Sequence, residues 1–212
     1  MPARKSPPSS PVLESLSKPA GKRATLALDP ARIVETAARL LEDTGRLSMR
    51  ALAQELGANP MAVYHYFPGK DALIAAVAAA RFSQVEVVRD AMQRVRNWQA
   101  RVRLLARAYL DMVRAAQSLT RHLAKSAPPD DATDIAIRFE VLFLAAVGEL
   151  QLPPVRARAC MHVLVDCIHG FALGDAPVDA WDMELDVLLA GMEALAQQSA
   201  GGGGLDEDGN VE

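Results

Sequence analysis

The sequence has few cysteines, and it has no apolar run long enough to span a membrane. Cys160 and Cys167 are its only cysteines, and seven positions of helical pattern would separate their Cα atoms by about 10 Å, too far for a disulfide. The longest apolar stretches, such as 73–80 and 141–148, fall well short of the roughly 20 residues that a transmembrane helix needs. No cleavable signal is visible at the start. We therefore expect a cytoplasmic protein with reduced thiols.

The sequence also lacks the short motifs of common enzymes. It contains no nucleophile elbow, no phosphate-binding loop and no zinc-protease signature. The formal net charge is −3, so binding to nucleic acid would depend on where the charges lie. A sequence-tolerant architectural DNA-binding protein would be expected to have a strongly basic core instead. We predict a protein that is not an enzyme and that needs no cofactor.

The two ends of the chain differ in composition from its middle. Residues 1–28 are rich in proline and serine and carry mostly basic charges, whereas residues 201–212 begin with four glycines and continue acidic. Such segments bury too little apolar surface to fold, so we predict a disordered basic arm over 1–28 and a disordered acidic tail over 199–212. Helical periodicity fills the region between them, and the predicted fold class is all-α.

Three helix starts follow the arm closely. Asp29, Ser48 and Asn59 are each a good N-cap residue, and a proline follows the first and the last of them at the first helical position. The second and third helices lie on either side of a three-residue turn after Leu56. Their apolar positions fit two crossed helices that share a small core, so we predict a helix-turn-helix domain over 29–73.

Three motifs follow one another without a gap: Arg-x-Leu-Ala-x-x-Leu-Gly from Arg50, Val-Tyr-x-Tyr-Phe from Val63 and Lys-x-x-Leu from Lys70. With them the segment Ile33–Leu73, about a fifth of the chain, resembles the DNA-binding domain of the TetR/AcrR family of transcription regulators. The resemblance implies a DNA-binding regulator, most often a repressor, that binds a palindromic operator as a homodimer. It also implies release by a small-molecule effector.

The resemblance assigns roles to residues of the helix-turn-helix. It implies phosphate contacts for Ser48, Tyr64, Tyr66 and Lys70, and base-edge contacts for Arg50, Pro60, Met61, Ala62 and His65. Packing is the alternative role for Tyr64, and a solvated surface position is the alternative for His65. The chain departs from the family at Asn59-Pro60-Met61, where a small hydroxyl residue and often a glycine are common, so the operator sequence is not implied.

The remainder, 74–198, resembles the family in helix order and in the segment His169–Leu173. We predict helices at about 98–116, 119–126, 133–150, 154–173 and 178–198. By resemblance this is an effector-binding and dimerisation domain, in which the last two helices pack against those of a second subunit. The predicted dimer interface is the apolar face of the last helix, which contains Leu185, Leu188, Leu189 and Met192. Burial of this face inside one domain is the alternative.

Aromatic and histidine side chains scattered among apolar residues are candidates for an effector pocket. A mostly apolar lining with few polar groups suits a small, largely apolar ligand, although for each candidate we favour a place in the core over contact with a ligand. The candidates are Trp98, Tyr109, His122, Phe139, Phe143 and His162. His162 also shares a helical face with Asp166 and His169, a spacing that fits a metal site or a polar seam between subunits; we favour the seam and predict no metal.

Overall fold

The computed structural model describes residues 28–125, 130–174, 177 and 180–201, without the side chains at 130–133, 200 and 201. The predicted basic arm, up to residue 27, and most of the predicted acidic tail lie outside these residues. Within them the chain forms ten α-helices and one 3-10 turn and contains no strand, which confirms the all-α prediction. The helices are α1 Pro30–Thr44, α2 Met49–Glu55, α3 Pro60–Tyr66, α4 Lys70–Glu86, α5 Val88–Gln93, α6 Trp98–Ala115, α7 Gln117–Lys125, α8 Asp130–Val147, α9 Pro154–Leu173 and α10 Ala180–Gly201, with the 3-10 turn at Gly148–Leu150.

The three predicted N-caps are confirmed. The Asp29 carboxylate accepts from the backbone N–H of Arg32 at 2.9 Å, and the Ser48 hydroxyl accepts from that of Ala51 at 3.1 Å. The Asn59 side chain accepts from the N–H of Met61 at 2.9 Å. Each cap satisfies an N–H that has no partner within its helix. The start of each of the first three helices is therefore fixed by its own local sequence.

The buried side chains form two hydrophobic cores, one built by the N-terminal helices and one by the later helices. The first core contains the inner faces of α1, α2 and α3 and the beginning of α7. The second core is centred on α6, which packs against α4, α5, α8 and α9. Helix α4 contributes to both cores, with Leu73 and Val77 in the first and Phe82 and Val85 in the second. It is the common support of the two halves.

The last helix buries the side that the sequence assigned to a partner subunit. Leu185, Leu189 and Met192 are only 2%, 4% and 2% exposed and lie in the second core, and the half-buried Leu188 packs against it. These side chains are already covered by their own chain. The prediction that they form the dimer interface is therefore wrong, and the alternative, burial inside one domain, describes them. The reason is that α10 is apolar on two sides, because Met183 and Val187 form a second, exposed apolar side. A hydrophobic stripe alone could not tell the inner side from the outer.

Both cysteines lie on α9, Cys160 within the second core and Cys167 packed against it. Cys160 is buried and Cys167 is half-buried on α9, and both are free. Burial raises the pKa of both thiols. Among the described residues, no helix combines the length and the apolar character needed to cross a bilayer.

Candidate DNA-binding surface and internal cavities

Helices α2 and α3 pack against each other, and the residues predicted to contact DNA lie on their outer side. Val63 and Leu52 are fully buried between them, and Gly57 makes the turn with a positive φ of 64°, a conformation that glycine adopts without strain. On the outer side of α3, Met61 is 72% exposed. All the residues predicted to contact DNA are exposed except Ala62, which is half-buried. Their contacts with DNA stay predictions.

Tyr66 makes a bond that the sequence did not reveal. Its hydroxyl donates to the backbone carbonyl of Leu28, just before α1, at 2.9 Å. A tyrosine hydroxyl has a single proton to donate, so in this conformation Tyr66 offers none to a phosphate. Its ring lies edge-on to that of His65, with 5.5 Å between the ring centroids. Tyr66 thus holds the start of the described chain against the end of α3.

Lys70 stands beside this surface as the first residue of α4. Gly69, the N-cap residue of that helix, has no side chain to cap it. The first N–H groups of a helix carry partial positive charge, and the exposed Lys70 ammonium adds a full one. A lysine at this end of a helix opposes the helix dipole, which is understandable if an anion binds there. The geometry is therefore compatible with the predicted phosphate contact.

Two neighbouring cavities in the second half of the chain share part of their lining. The larger, of about 540 Å³, is lined mainly by α8 and α9 and includes Phe139 and His162. The smaller, of about 330 Å³, is lined mainly by α4, α6 and α7 and includes Phe82. Both volumes are within the usual range for small-molecule sites. Four residues line both cavities: Tyr109, Leu123, Ile135 and His169.

Three of the six predicted pocket residues, Tyr109, Phe139 and His162, line these cavities. Trp98 and Phe143 line neither cavity and pack in the second core. His122 does not line either cavity. It lies on the side of α7 towards the first half of the chain, where burial first, and the charge of Lys70 second, lowers its pKa.

Two of the four shared residues form a hydrogen-bonded pair. The Tyr109 hydroxyl lies 3.0 Å from Nε2 of His169. Burial raises the pKa of Tyr109 to about 12 and lowers the pKa of His169, with Asp166 acting in the opposite sense on the histidine. Both groups are therefore neutral near pH 7. Among the residues that the structure describes, no three His, Cys, Asp or Glu side chains are grouped to hold a metal.

Helix α7 connects the smaller cavity to the helix-turn-helix half. The Glu42 carboxylate of α1 accepts from the backbone N–H groups of Ser118 and Leu119, at 3.0 and 3.2 Å, in the first turn of α7. Further along, α7 presents Thr120 and Leu123 to the smaller cavity. This bond could not be predicted from the sequence, because its partners are more than 70 positions apart and nothing in the local sequence distinguishes Glu42 from the other acids of α1.

Comparison with known proteins agrees with this arrangement. Residues 33–77 match the family model of bacterial regulatory proteins of the TetR family. No curated protein gives a significant match to the sequence.

Solved structures share the fold over most of the chain. SCO7222, a TetR regulator from Streptomyces coelicolor, superimposes with a TM-score of 0.65 at 22% identity, over 80% of this chain and 100% of that one. BioQ with its double-stranded DNA operator gives 0.62 at 20% identity, over 79% and 99%. ActR from S. coelicolor in complex with actinorhodin gives 0.61 at 20% identity, over 80% and 99%.

The family match covers the helix-turn-helix, and the structural match covers 80% of the chain. Residues 33–77 thus form a helix-turn-helix domain of the TetR type, and the chain shares its overall fold with solved TetR regulators.

Proposed function

We propose that the chain is a cytoplasmic repressor that binds a palindromic operator as a homodimer and leaves it when a small, largely apolar molecule fills the cavities. The observation that carries this proposal is the bond from Glu42 to α7, which ties the lining of the smaller cavity to the helix-turn-helix half. A ligand that moved α7 would act directly on α1.

The shape of α3 supports binding in a major groove. Its seven residues rise by about 10 Å, which fits a groove about 12 Å wide. Its outer side offers an imidazole, a phenol and a thioether but no formal charge, whereas Arg50 and Lys70 stand on the neighbouring helices. This division suits base reading by α3 and Arg50, with Lys70 on the backbone. The solved complex of BioQ with its operator gives a precedent among proteins of similar fold.

The outer sides of α9 and α10 support a homodimer and replace the interface that the sequence suggested. On α10 an uncharged stripe runs along the exposed side, with Val187 69% exposed. Next to it, α9 exposes Val163 between small residues that allow close approach of a second helix. A palindromic operator needs two recognition helices about 34 Å apart, which a symmetric pair of subunits provides. The stripe consists of Val155, Ala159, Val163 and Gly170 on α9 and Met183, Val187, Ala190 and Ala194 on α10.

Selection of DNA from a random library tests the first half of the proposal. The purified full chain should enrich duplexes that contain an inverted repeat, with half-sites separated by one helical turn or a multiple of it. Enrichment of single, unrepeated sites would contradict the homodimeric mode. No enrichment at all would contradict operator binding.

Coupling between ligand and operator tests the second half. The neutral fluorophore N-phenyl-1-naphthylamine serves as the cavity probe, and its affinity is measured with and without the selected operator. A hundredfold release from DNA requires about 2.7 kcal/mol of coupling, and operator must weaken probe binding by the same factor. Equal probe affinities in the two titrations would show that the cavities do not control DNA binding.

A further inference from the structure

The two cavities adjoin each other, because four residues line both of them. Tyr109 of α6 and His169 of α9 face both spaces, and their contact is one hydrogen bond of 3.0 Å with the rings 5.7 Å apart. Tyr109 also stacks on Phe139 at 4.8 Å, which holds its ring at the boundary. A molecule that separated the two polar atoms would occupy the space on both sides.

The lining determines which charge the occupant can carry. Among the described residues that line either cavity there is no lysine and no arginine, and Asp166 is the only acid. Burial lowers the pKa of His169, so that this histidine supplies no positive charge at neutral pH. An anion would lose its hydration without gaining a counter-charge, and it would lie near a carboxylate. The cavities therefore disfavour anions.

The boundary determines which polar group the occupant needs. A purely hydrocarbon ligand that parted Tyr109 from His169 would leave both groups without a hydrogen-bond partner, which is unfavourable in a partly buried place. A hydroxyl can accept from one and donate to the other, so both stay satisfied. A carbonyl oxygen can accept from both when Nε2 of His169 carries the proton. One oxygen at this point is enough, because most of the remaining lining residues are apolar.

We propose that the two cavities form a single ligand site, whose occupant is an uncharged, largely apolar molecule with a hydroxyl or carbonyl oxygen placed between Tyr109 and His169. The inference rests on the proposed function for its biological meaning, since it identifies the chemical class of the effector. Its test needs no DNA, so that it can fail or succeed independently of operator release.

Displacement of bound N-phenyl-1-naphthylamine from the full chain provides that test. The three competitors share one ring system and differ in their polar group: 2-naphthol, naphthalene and 2-naphthoate. We expect 2-naphthol to bind about fivefold more tightly than naphthalene, as one hydrogen bond allows, and 2-naphthoate to bind most weakly. In Tyr109→Phe only His169 remains to bond the ligand hydroxyl, so the advantage of 2-naphthol over naphthalene should shrink while the fluorophore still binds.

Ser83→Ala is the control, because it removes a hydroxyl that bonds its own helix at Ala80 and lies outside both cavities. It should leave the order of the three competitors unchanged. Binding of 2-naphthoate as tight as that of 2-naphthol in the wild-type chain would overturn the proposal, and that comparison does not depend on any variant folding. An unchanged preference for 2-naphthol in Tyr109→Phe would also overturn the proposal. Failure of the fluorophore to bind the wild-type chain would do the same.

Discussion

Arg50 and Lys70 present positive charges to the same surface from different helices. Arg50 lies in the first turn of α2, and Lys70 begins α4. We expect Arg50→Ala to reduce discrimination between operator variants, by about 1–3 kcal/mol at the base pair concerned. Lys70→Ala should weaken binding to all sequences alike and lower the salt slope by about one. Fluorescence anisotropy at several salt concentrations measures both effects.

Arg107→Ala is a matched control for these two variants, since it removes an exposed cation of α6 that pairs with Asp111. It should change neither specificity nor salt slope. If Arg50→Ala and Lys70→Ala lowered specificity equally, the assignment of one to bases and the other to phosphates would fail.

His169 makes folding depend on pH. Burial lowers its pKa in the folded state, so below the ordinary value of about 6.5 the unfolded chain binds the proton more readily. The contribution of His169 to stability is therefore present above pH 6.5 and is lost as the pH falls towards the folded-state pKa. Urea denaturation at a series of pH values should show a smaller loss between pH 7 and 5.5 in His169→Gln than in the wild type. A loss of the same size in both would assign the pH dependence to other groups, of which His122 has the same sign of shift.

At the scale of the helices, the bond between Glu42 and α7 is the contact with the clearest consequence. Glu42→Ala removes the acceptor of two N–H groups, and loss of a helix cap typically costs about 0.5–2 kcal/mol. We expect helix α7 to be less stable, and the effect of operator on probe binding to shrink towards none. Titration of N-phenyl-1-naphthylamine with and without operator measures that coupling.

Glu35→Ala is the control on the same helix, because Glu35 is an exposed acid of α1. It changes the net charge by the same amount and should leave the coupling intact. If operator weakened probe binding in Glu42→Ala as much as in the wild type, the bond to α7 would not carry the coupling, and α4 would be the remaining connection between the two halves.

The helices show how far the sequence determines this structure. The caps of the first three helices and both ends of α9 could be predicted, because prolines, N-caps and glycines act within a few residues. The inner side of α10 could not, since it depends on which of two apolar sides meets the second core. The bonds of Tyr66 to Leu28 and of Glu42 to α7 join distant segments, and no local pattern announces them.

For the whole molecule, the exposed stripe on α9 and α10 predicts how two subunits meet. Val187→Glu places a carboxylate at an exposed position of one chain, so the fold should survive. In the proposed dimer the same carboxylate would be buried without a partner, which costs about 3 kcal/mol or more. We expect monomers in light scattering, and operator affinity should fall because a single half-site remains.

Val141→Glu serves as the control, since Val141 is an exposed valine on α8, outside the stripe. It should remain dimeric and bind operator normally. A Val187→Glu protein that stayed dimeric would locate the interface elsewhere, and monomers from Val141→Glu would point to α8.

Helix α4 has a further consequence for how the molecule opens. Its first turns are packed into one core through Leu73 and Val77, and its later turns into the other through Phe82 and Val85. Loosening either core alone leaves part of this helix anchored in the other. The amide hydrogens at the middle of α4 can then exchange with deuterium only when both halves open together, so they should be among the slowest in the chain and report its global unfolding.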